Sequence, residues 1–387
     1  MTSSRWALLF GNFVIGTGVL APAGLINELS AAFAVDVATV GSLIAYGAAV
    51  LCIEAPLLAF LTNRVERRAL LTGALLLYAI GHLVSAFAPT FGILLATRLV
   101  MIGGAAVFTP QAASAVGLFM PVERRAGSVA FIFLGWSFAS AVGIPLANLI
   151  GAHAGWSTVY LLLGIAGVIA AGTVFKVLPR GLHTPPLSIA AWQKVMQRGD
   201  ILLLLLVTGI FVAGQFTEYP YIAANLKANV TDKPQIIASL LAINGLAGIA
   251  ASIYTAAAVD RFGASNTVAT GICIVIGGLV VWSGSGASLG LAALGLVIWG
   301  SGGGPVISGQ QARLIGADVT SSSASVALNT SILYAGQACG TAIGGRMFTR
   351  GDGHLAAVVG VGLILVALAA SLLATRLGKR RAAVPVK

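Results

Sequence analysis

Long uninterrupted apolar segments dominate this sequence and restrict it to a membrane-spanning fold. A helix needs about 20 apolar residues to cross a bilayer. The 387-residue chain has twelve such segments, separated by short clusters of charged or turn residues. Only 9% of the residues are charged, against roughly a quarter in soluble domains, which excludes a soluble fold. The segments lie near residues 6–27, 38–61, 69–88, 91–116, 127–150, 156–178, 200–224, 235–258, 265–284, 288–310, 322–345 and 354–377.

The segments are continuous and lack the alternation of an outer-membrane barrel, whose strands are roughly ten residues long. We therefore expect an all-α polytopic membrane protein with twelve transmembrane helices, called spans 1 to 12 below. No residue pattern indicates a cofactor or a metal site. The four histidines are scattered along the chain, and there is no glycine-rich loop for binding nucleotide phosphates.

The basic residues indicate how the chain is oriented. With the N-terminus in the cytoplasm, 17 of the 22 lysines and arginines fall in cytoplasmic segments and four in segments on the other side. Because Lys and Arg are retained on the cytoplasmic side, we expect both termini to be cytoplasmic. The net charge of +11 then reflects topology, and no nucleic-acid partner is expected.

The chain shows signs of an internal repeat. Its longest internal polar connection runs from Pro179 to Asp200 and predicts an N-terminal six-helix bundle (1–178), a cytoplasmic linker (179–199) and a C-terminal six-helix bundle (200–387). At an offset of 197 residues, Asn63 aligns with Asp260. The same offset relates two stripes of small residues at four-residue spacing, which favours close helix packing. The stripes are Ala139, Gly143, Ala147 and Gly151 in span 5 and Gly336, Gly340 and Gly344 in span 11.

Several local motifs accompany the repeat. The loop after span 2 reads Ala-Phe-Leu-Thr-Asn-Arg-Val-Glu-Arg-Arg at 59–68, and Asp260-Arg261 resembles its echo in the second half. Span 4 contains Arg98 within Thr-Arg-Leu, and span 5 contains Gly143-Ile144-Pro145 followed by Asn148. Together these motifs resemble the major facilitator superfamily, and within it the drug:proton antiporters and the arabinose-efflux-permease-like exporters.

The resemblance implies two pseudo-symmetric six-helix bundles, with spans 1, 4, 7 and 10 lining a central cavity. It also implies that charge pairs in a cytoplasmic loop, called the gating loop below, hold the cytoplasmic gate closed. The residues that match this loop and its echo are Asn63, Arg64, Glu66, Arg67, Arg68, Asp260 and Arg261. The chain departs from the family pattern in two places. Asn63 replaces the usual aspartate of the loop, and span 1 carries no carboxylate, although many exporters of this group have one there.

Ionisable residues inside spans are functional candidates, because a charge at the bilayer centre costs at least ~2.5–3.5 kcal/mol. Arg98 in span 4 and Glu218 in span 7 lie at similar depths, and we predict that they form a pair that breaks when Glu218 is protonated; the alternative is that either one reaches the membrane interface. Glu54 in span 2 either carries a proton or latches the cytoplasmic gate. His82 in span 3 is expected to be a packing residue.

Polar and aromatic residues on the presumed cavity helices predict a site for a small amphipathic or polar solute. Each of them is equally well suited to join helices. The run Gly300–Pro305 is expected to unwind or bend span 10 at this site, with a structural kink as the alternative. The candidate cavity residues are Asn12, Thr17, Gln111, Gln215, Tyr219, Trp299, Asn244, Asn329 and Tyr334.

These observations favour a secondary transporter that exports a small molecule in exchange for protons. The first alternative is a proton-coupled importer of a small metabolite, and the second is a membrane-embedded enzyme or a transport-inactive sensor. No catalytic cluster is recognisable, so an enzyme is not expected. We expect the protein to lie in the cytoplasmic membrane of a bacterium. Its expected partners are the solute, protons and the lipid bilayer, and a monomer suffices for this architecture.

Overall fold

The computed structural model describes residues 2–62, 64–183, 189–317 and 322–382. All regular secondary structure in these ranges is helical. A π-helical turn occupies Ala139–Gly143, and 3-10 turns occur at Tyr219–Tyr221 and Gly353–Leu355. The α-helices are α1 (Thr2–Gly24), α2 (Ile26–Phe33), α3 (Val37–Leu61), α4 (Arg67–Ser85), α5 (Phe91–Phe119), α6 (Val122–Phe138), α7 (Ile144–Ala154), α8 (Trp156–Val177), α9 (Ile189–Met196), α10 (Gly199–Phe216), α11 (Ile222–Asn229), α12 (Pro234–Phe262), α13 (Ala264–Ser283), α14 (Leu289–Ala317), α15 (Ser322–Thr349) and α16 (Ala356–Ala382).

Within the described ranges, eleven helical segments are long and apolar enough to cross a membrane. They correspond to eleven of the twelve predicted spans. The remaining predicted span, span 11, corresponds to α15, which has 28 residues. At 1.5 Å per residue this helix is ~42 Å long, which is enough to cross a membrane. It carries many Ser, Thr, Asn and Gln side chains, which lower its hydropathy. The chain is therefore an all-helical, multi-pass membrane protein, as predicted.

Local sequence sets where several helices begin. Asp36, Glu66 and Thr90 precede α3, α4 and α5, and each side chain accepts a hydrogen bond from the backbone N–H three residues later. Such N-caps satisfy N–H groups that have no partner inside the helix. Gly155 and Gly263 precede α8 and α13 with φ of 84° and 82°, a conformation that favours glycine.

The described residues pack into two compact units, one within 1–187 and 232–242 and the other within 188–231 and 243–387. In unit 1, α1 packs against α6, α7 and α8, and α4 packs against α5 and α8. In unit 2, α10 packs against α15 and α16, and α13 packs against α14 and α16. The second set repeats the first with α10 in the place of α1, so the predicted pseudo-symmetry is confirmed.

The two stripes of small residues lie where neighbouring helices approach most closely. A Cβ atom added to Gly336, Gly340 or Gly344 of α15 would overlap a backbone carbonyl oxygen of α10 or of the residue that follows it. In unit 1, a Cβ atom at Gly143 would overlap the Thr17 side chain of α1. The stripes therefore permit the close helix contacts that their spacing predicts.

We expect Gly340→Ala to destabilise unit 2, because its new methyl group overlaps the carbonyl oxygen of Ala213 and forces α15 away from α10. Overpacking of this kind costs ~1–3 kcal/mol. Thermal unfolding of the purified protein in detergent measures the effect. Gly362→Ala in α16 is the matched control, since nothing lies within 4 Å of the added carbon. Equal unfolding temperatures for the two variants would contradict this assignment.

The expected unwinding of span 10 is wrong, and the structure has an interruption in span 7 instead. α14 runs unbroken through Gly300–Pro305, so span 10 is not unwound there. Its glycines instead face close neighbours, with Gly300 against the Asn244 carbonyl and Gly304 against the Ser252 side chain. The interruption lies in span 7, where α10 ends at Phe216 and α11 begins only at Ile222. Pro220 lies in the 3-10 turn between them and lacks a backbone N–H for helical hydrogen bonding.

Candidate functional site

Arg98 lies in α5 and is buried, with 1% of its surface exposed. Its Nε donates to the Leu43 carbonyl oxygen at 2.7 Å, its Nη1 to that of Gly18 at 3.1 Å and its Nη2 to that of Val19 at 2.7 Å. The Gly18 carbonyl is available because Pro22, four residues later, has no N–H to donate. Arg98 therefore joins α5 to α1 and α3 within unit 1.

His82 packs beside this arginine site. It is fully buried, and its Nδ1 lies 2.9 Å from the Tyr78 carbonyl oxygen, which makes Nδ1 the protonated nitrogen. Its Nε2 has no hydrogen-bond partner among the described residues. A Cβ atom at Gly18 would overlap both Nε2 and the Tyr78 hydroxyl. The contacts fit the predicted packing role of His82.

Glu218 lies in the interruption of span 7 and is also buried, with 1% of its surface exposed. Its Oε1 accepts hydrogen bonds from Asn225 Nδ2 and from Trp282 Nε1, the latter at 2.9 Å. Its Oε2 has no partner among the described residues. Both donors belong to unit 2, whereas the partners of Arg98 belong to unit 1. The predicted Arg98–Glu218 pair stays a prediction.

A cavity of about 150 Å³ adjoins Glu218 within unit 2. Its lining includes Glu218 and residues from the end of α11, the end of α13 and the start of α16. Asparagine and serine side chains supply most of its other polar groups. The only titratable side chain among the lining residues is Glu218.

A second cluster forms around residues close to Glu218 in the chain. Trp299 of α14 is buried, and its Nε1 donates to Gln215 Oε1 at 2.9 Å. The ring of Tyr219 meets the Trp299 ring edge to face, with centroids 6.0 Å apart. Three predicted cavity residues are thus brought together, and Tyr219 directly follows Glu218 in the chain. An amide beside two aromatic rings can hold a small amphipathic solute.

Two other predicted cavity residues join helices. Asn12 Nδ2 donates to the Ile132 carbonyl oxygen of α6 at 3.0 Å, and its Oδ1 accepts from Thr109 of α5 at 2.9 Å. Asn244 Nδ2 donates to the Leu296 carbonyl oxygen at 3.0 Å. These contacts hold helices together within each unit and favour the structural alternative for both residues.

The remaining candidates are mostly buried. Gln111 is 7% exposed and Asn329 is 1% exposed, while Tyr334 is half-buried. Thr17 Oγ1 and Asn329 Oδ1 have no hydrogen-bond partner among the described residues. Thr17 is the residue against which Gly143 packs.

The predicted gating loop contains both structural and exposed residues. Asn63 lies outside the described residues. Arg67 is buried and donates to the carbonyl oxygens of Thr62 at 3.0 Å and Val65 at 3.2 Å. Glu66 caps α4, accepting from the Ala69 N–H at 2.8 Å. Hydrogen bonds between these two side chains and nearby backbone groups therefore hold the loop in place.

The other gating candidates lie nearer the surface. The Arg68 guanidinium carbon lies 4.2 Å from the centre of the Phe175 ring, a cation–π contact. Arg64, Asp260 and Arg261 are exposed. Of the six described candidates, Glu66, Arg67 and Arg68 have the partners given above, and Arg261 contacts the ring of Phe262. None of these contacts is a charge pair, so the latch stays a prediction.

Glu54 is half-buried in α3. Its Oε2 has no hydrogen-bond partner among the described residues and lies close to Gly103 of α5.

In the antiporter-like segment, the π turn ends at Gly143 and α7 carries Pro145 in its first turn. Asn148 Nδ2 donates to the Gly24 carbonyl oxygen at 2.9 Å, which ties α7 to the end of α1.

Sequence reasoning missed the two donors to Glu218. Asn225 lies seven residues after Glu218, and in a helix that spacing is two turns on one face. Trp282 lies near the end of span 9, and its indole N–H was one of the few donors in that segment. A search for donors at helical spacing from each intramembrane carboxylate would have found Asn225 but not Trp282.

A profile of the Major Facilitator Superfamily matches residues 8–315. The chain belongs to the major facilitator superfamily. It is 24% identical over 377 residues to YbcL of Bacillus subtilis, an uncharacterized MFS-type transporter, with 96% of each chain covered. It is 25% identical over 370 residues to YdhP of Escherichia coli, an inner membrane transport protein, with 94% of this chain and 95% of that protein covered.

Solved structures of major facilitator transporters share the fold. A bacterial homologue of the human lysosomal transporter Spinster, inward-facing and occupied, aligns over 96% of each chain with a TM-score of 0.76 and 15% identity. A D-xylose-proton symporter aligns over 96% of this chain and 97% of that chain with a TM-score of 0.77 and 15% identity. The chain is thus a major facilitator transporter, and its relatives argue against the enzyme interpretation.

Proposed function

We propose that this transporter exports a small molecule, such as a drug, sugar, nucleoside or other metabolite, in exchange for protons by alternating access. The proposal rests mainly on the environment of Glu218. This residue is a buried carboxylate inside a span, and its Oε2 has no hydrogen-bond partner in the described part of the chain. Such residues mark proton and ion pathways in transporters.

The position of Glu218 supplies a route for coupling. When Glu218 is ionised, the bonds from Asn225 and Trp282 are charge-assisted and strong. Protonation weakens them and relaxes the 3-10 turn that carries Tyr219 against Trp299. A proton on Glu218 and a solute at Gln215, Tyr219 and Trp299 then alter each other's affinity reciprocally.

Export is favoured over import by the antiporter-like segment of span 5. Its π turn ends at Gly143, directly before Ile144 and Pro145, and π turns inside α-helices are frequent at functional sites. Proton-coupled import of a metabolite is the second candidate, supported by the same carboxylate.

We expect cells that overproduce the protein to gain resistance to the toxic solutes it carries, because export lowers the internal concentration. Growth across a panel of drugs, nucleoside analogues and toxic sugar or amino acid analogues measures this. Cells that produce Glu218→Gln at the same membrane level are the control and should lose the resistance. Sensitisation by the unmodified protein would show import and overturn the proposed direction.

The proposal includes the cellular setting. The inner-membrane assignment of YdhP and the lysine and arginine distribution support a bacterial cytoplasmic membrane with both termini in the cytoplasm. The predicted arrangement is a 1–178 bundle, a 179–199 linker and a 200–387 bundle acting as a monomer.

A further inference from the structure

We propose that the cavity beside Glu218 is a binding site for a sodium ion. The cavity has a volume of about 150 Å³, enough for a small cation and a few water molecules at roughly 30 Å³ each. Its polar lining residues are Glu218, Asn225, Asn229, Trp282, Ser283 and Ser285. The inference goes beyond the proposed proton-coupled export and is tested without any solute.

The electrostatic environment of the cavity favours a cation. Three helices end at or beside it, α10 at Phe216, α11 at Asn229 and α13 at Ser283. Helix C-termini carry partial negative charge from carbonyl groups without helical partners. Glu218 adds a formal negative charge, and no lysine, arginine or histidine is among the lining residues. In transporters, interrupted helices use such C-terminal ends to coordinate cations.

The chemistry of the lining groups specifies a hard cation. Asn225 Nδ2 donates to Glu218, and Asn229 Nδ2 donates to the Asn225 carbonyl oxygen at 3.1 Å. The amide oxygens of both residues therefore keep their acceptor capacity. The Ser283 hydroxyl donates to the Val280 carbonyl oxygen at 2.9 Å, so its oxygen lone pairs also remain available. Carboxylate, amide and hydroxyl oxygens are ligands of hard cations.

The charge of the site indicates which hard cation it takes. Glu218 is the only carboxylate among the lining residues, whereas calcium sites combine several carboxylates with neutral oxygens. One negative charge matches a monovalent ion. Glu218 Oε2 is buried and has no hydrogen-bond partner among the described residues, so it is the charged oxygen left for such an ion. Trp282 and Asn225 hold the other oxygen and act as positioning residues.

Equilibrium binding of radioactive sodium to the purified full-length protein in detergent tests the proposal. The buffer is alkaline, and choline keeps the ionic strength constant. We expect saturable binding of one sodium ion per chain. Glu218→Gln keeps the side-chain size and should abolish it. Asp352→Asn removes a carboxylate charge at an exposed loop position and should bind sodium as the unmodified protein does.

Trp282→Phe separates a positioning role from a purely structural one. It removes the indole N–H that orients the carboxylate but keeps an aromatic ring, and loss of such an orienting partner typically weakens metal affinity by about 10–100-fold. The thermal unfolding temperature of each variant in choline checks that it is folded. Absence of saturable binding to the unmodified protein, or equal binding by folded Glu218→Gln, would overturn the proposal. Sodium binding without solute-driven proton movement would instead leave this site standing and refute the proton exchange.

Discussion

Glu218→Gln is expected to remove the pH dependence of solute binding. In the unmodified protein, the solute should bind more weakly at acidic pH, because protonated Glu218 no longer holds Asn225 and Trp282 by charge-assisted bonds. Coupling between two sites is typically ~1–3 kcal/mol, which corresponds to about a 5–150-fold change in affinity. Glutamine accepts the same hydrogen bonds but does not titrate, so its affinity profile should be flat.

The measurement is solute affinity across a pH series, using a solute identified by the resistance panel. Glu54→Gln is the matched variant, since it removes the other carboxylate within a span. If Glu54→Gln flattens the profile and Glu218→Gln does not, the proton is carried in unit 1. Such a result would contradict the role given to Glu218 while keeping the proposal of proton exchange.

Arg98→Ala is expected to destabilise unit 1 strongly. It removes the donors to the carbonyl oxygens of Gly18, Val19 and Leu43 and leaves a void where the guanidinium was. A buried acceptor left unsatisfied costs about 1–3 kcal/mol, and the Gly18 carbonyl has no helical donor because of Pro22. We expect a loss of about 3 kcal/mol or more.

Chemical or thermal unfolding in detergent measures this loss. Arg350→Ala is the control, because it removes an arginine at an exposed position and should leave stability nearly unchanged. Arg98→Lys should give an intermediate value, since an ammonium group cannot reproduce the planar fork of donors. An Arg98→Ala protein that unfolds like the control would show that Arg98 does not hold α5 to α1 and α3.

Much of the fold could be predicted because the membrane imposes simple rules on sequence. Apolar length predicted twelve spans, and eleven of them are long and apolar enough to cross a membrane in the described part of the chain. The glycines of α15 at four-residue spacing also repeat the stripe of span 5, which predicted the close packing of this helix. That prediction depended only on which residues are small, and small residues are what permit two backbones to approach.

The errors arose where a residue type permits two structures. The glycines at 300–304 were read as a site of unwinding, but a glycine that packs against a neighbouring helix looks the same in sequence. Span 7 was predicted as one apolar segment over 200–224, but a 3-10 turn at Tyr219–Tyr221 divides it and α11 continues to Asn229. The partners of Arg98 were not predictable, because they are backbone carbonyl oxygens and leave no trace in side-chain patterns.

The candidate site was predicted in part. Gln215, Tyr219 and Trp299 were chosen for their polarity on presumed cavity helices, and they do meet within unit 2. Asn12 and Asn244 satisfied the same criterion and join helices instead. Polarity inside a span identifies a residue that needs a hydrogen-bond partner, but only the structure tells whether a neighbouring helix supplies that partner.

Proton movement driven by solute in liposomes tests the central claim most directly. The purified protein is reconstituted with a pH-sensitive dye inside the vesicles, and a solute identified by the resistance panel is added outside without any imposed proton gradient. Proton-coupled exchange predicts that solute uptake down its gradient drives protons out, so the interior becomes alkaline, and that Glu218→Gln vesicles show no such change. Solute uptake by the unmodified protein with no change in internal pH would contradict it.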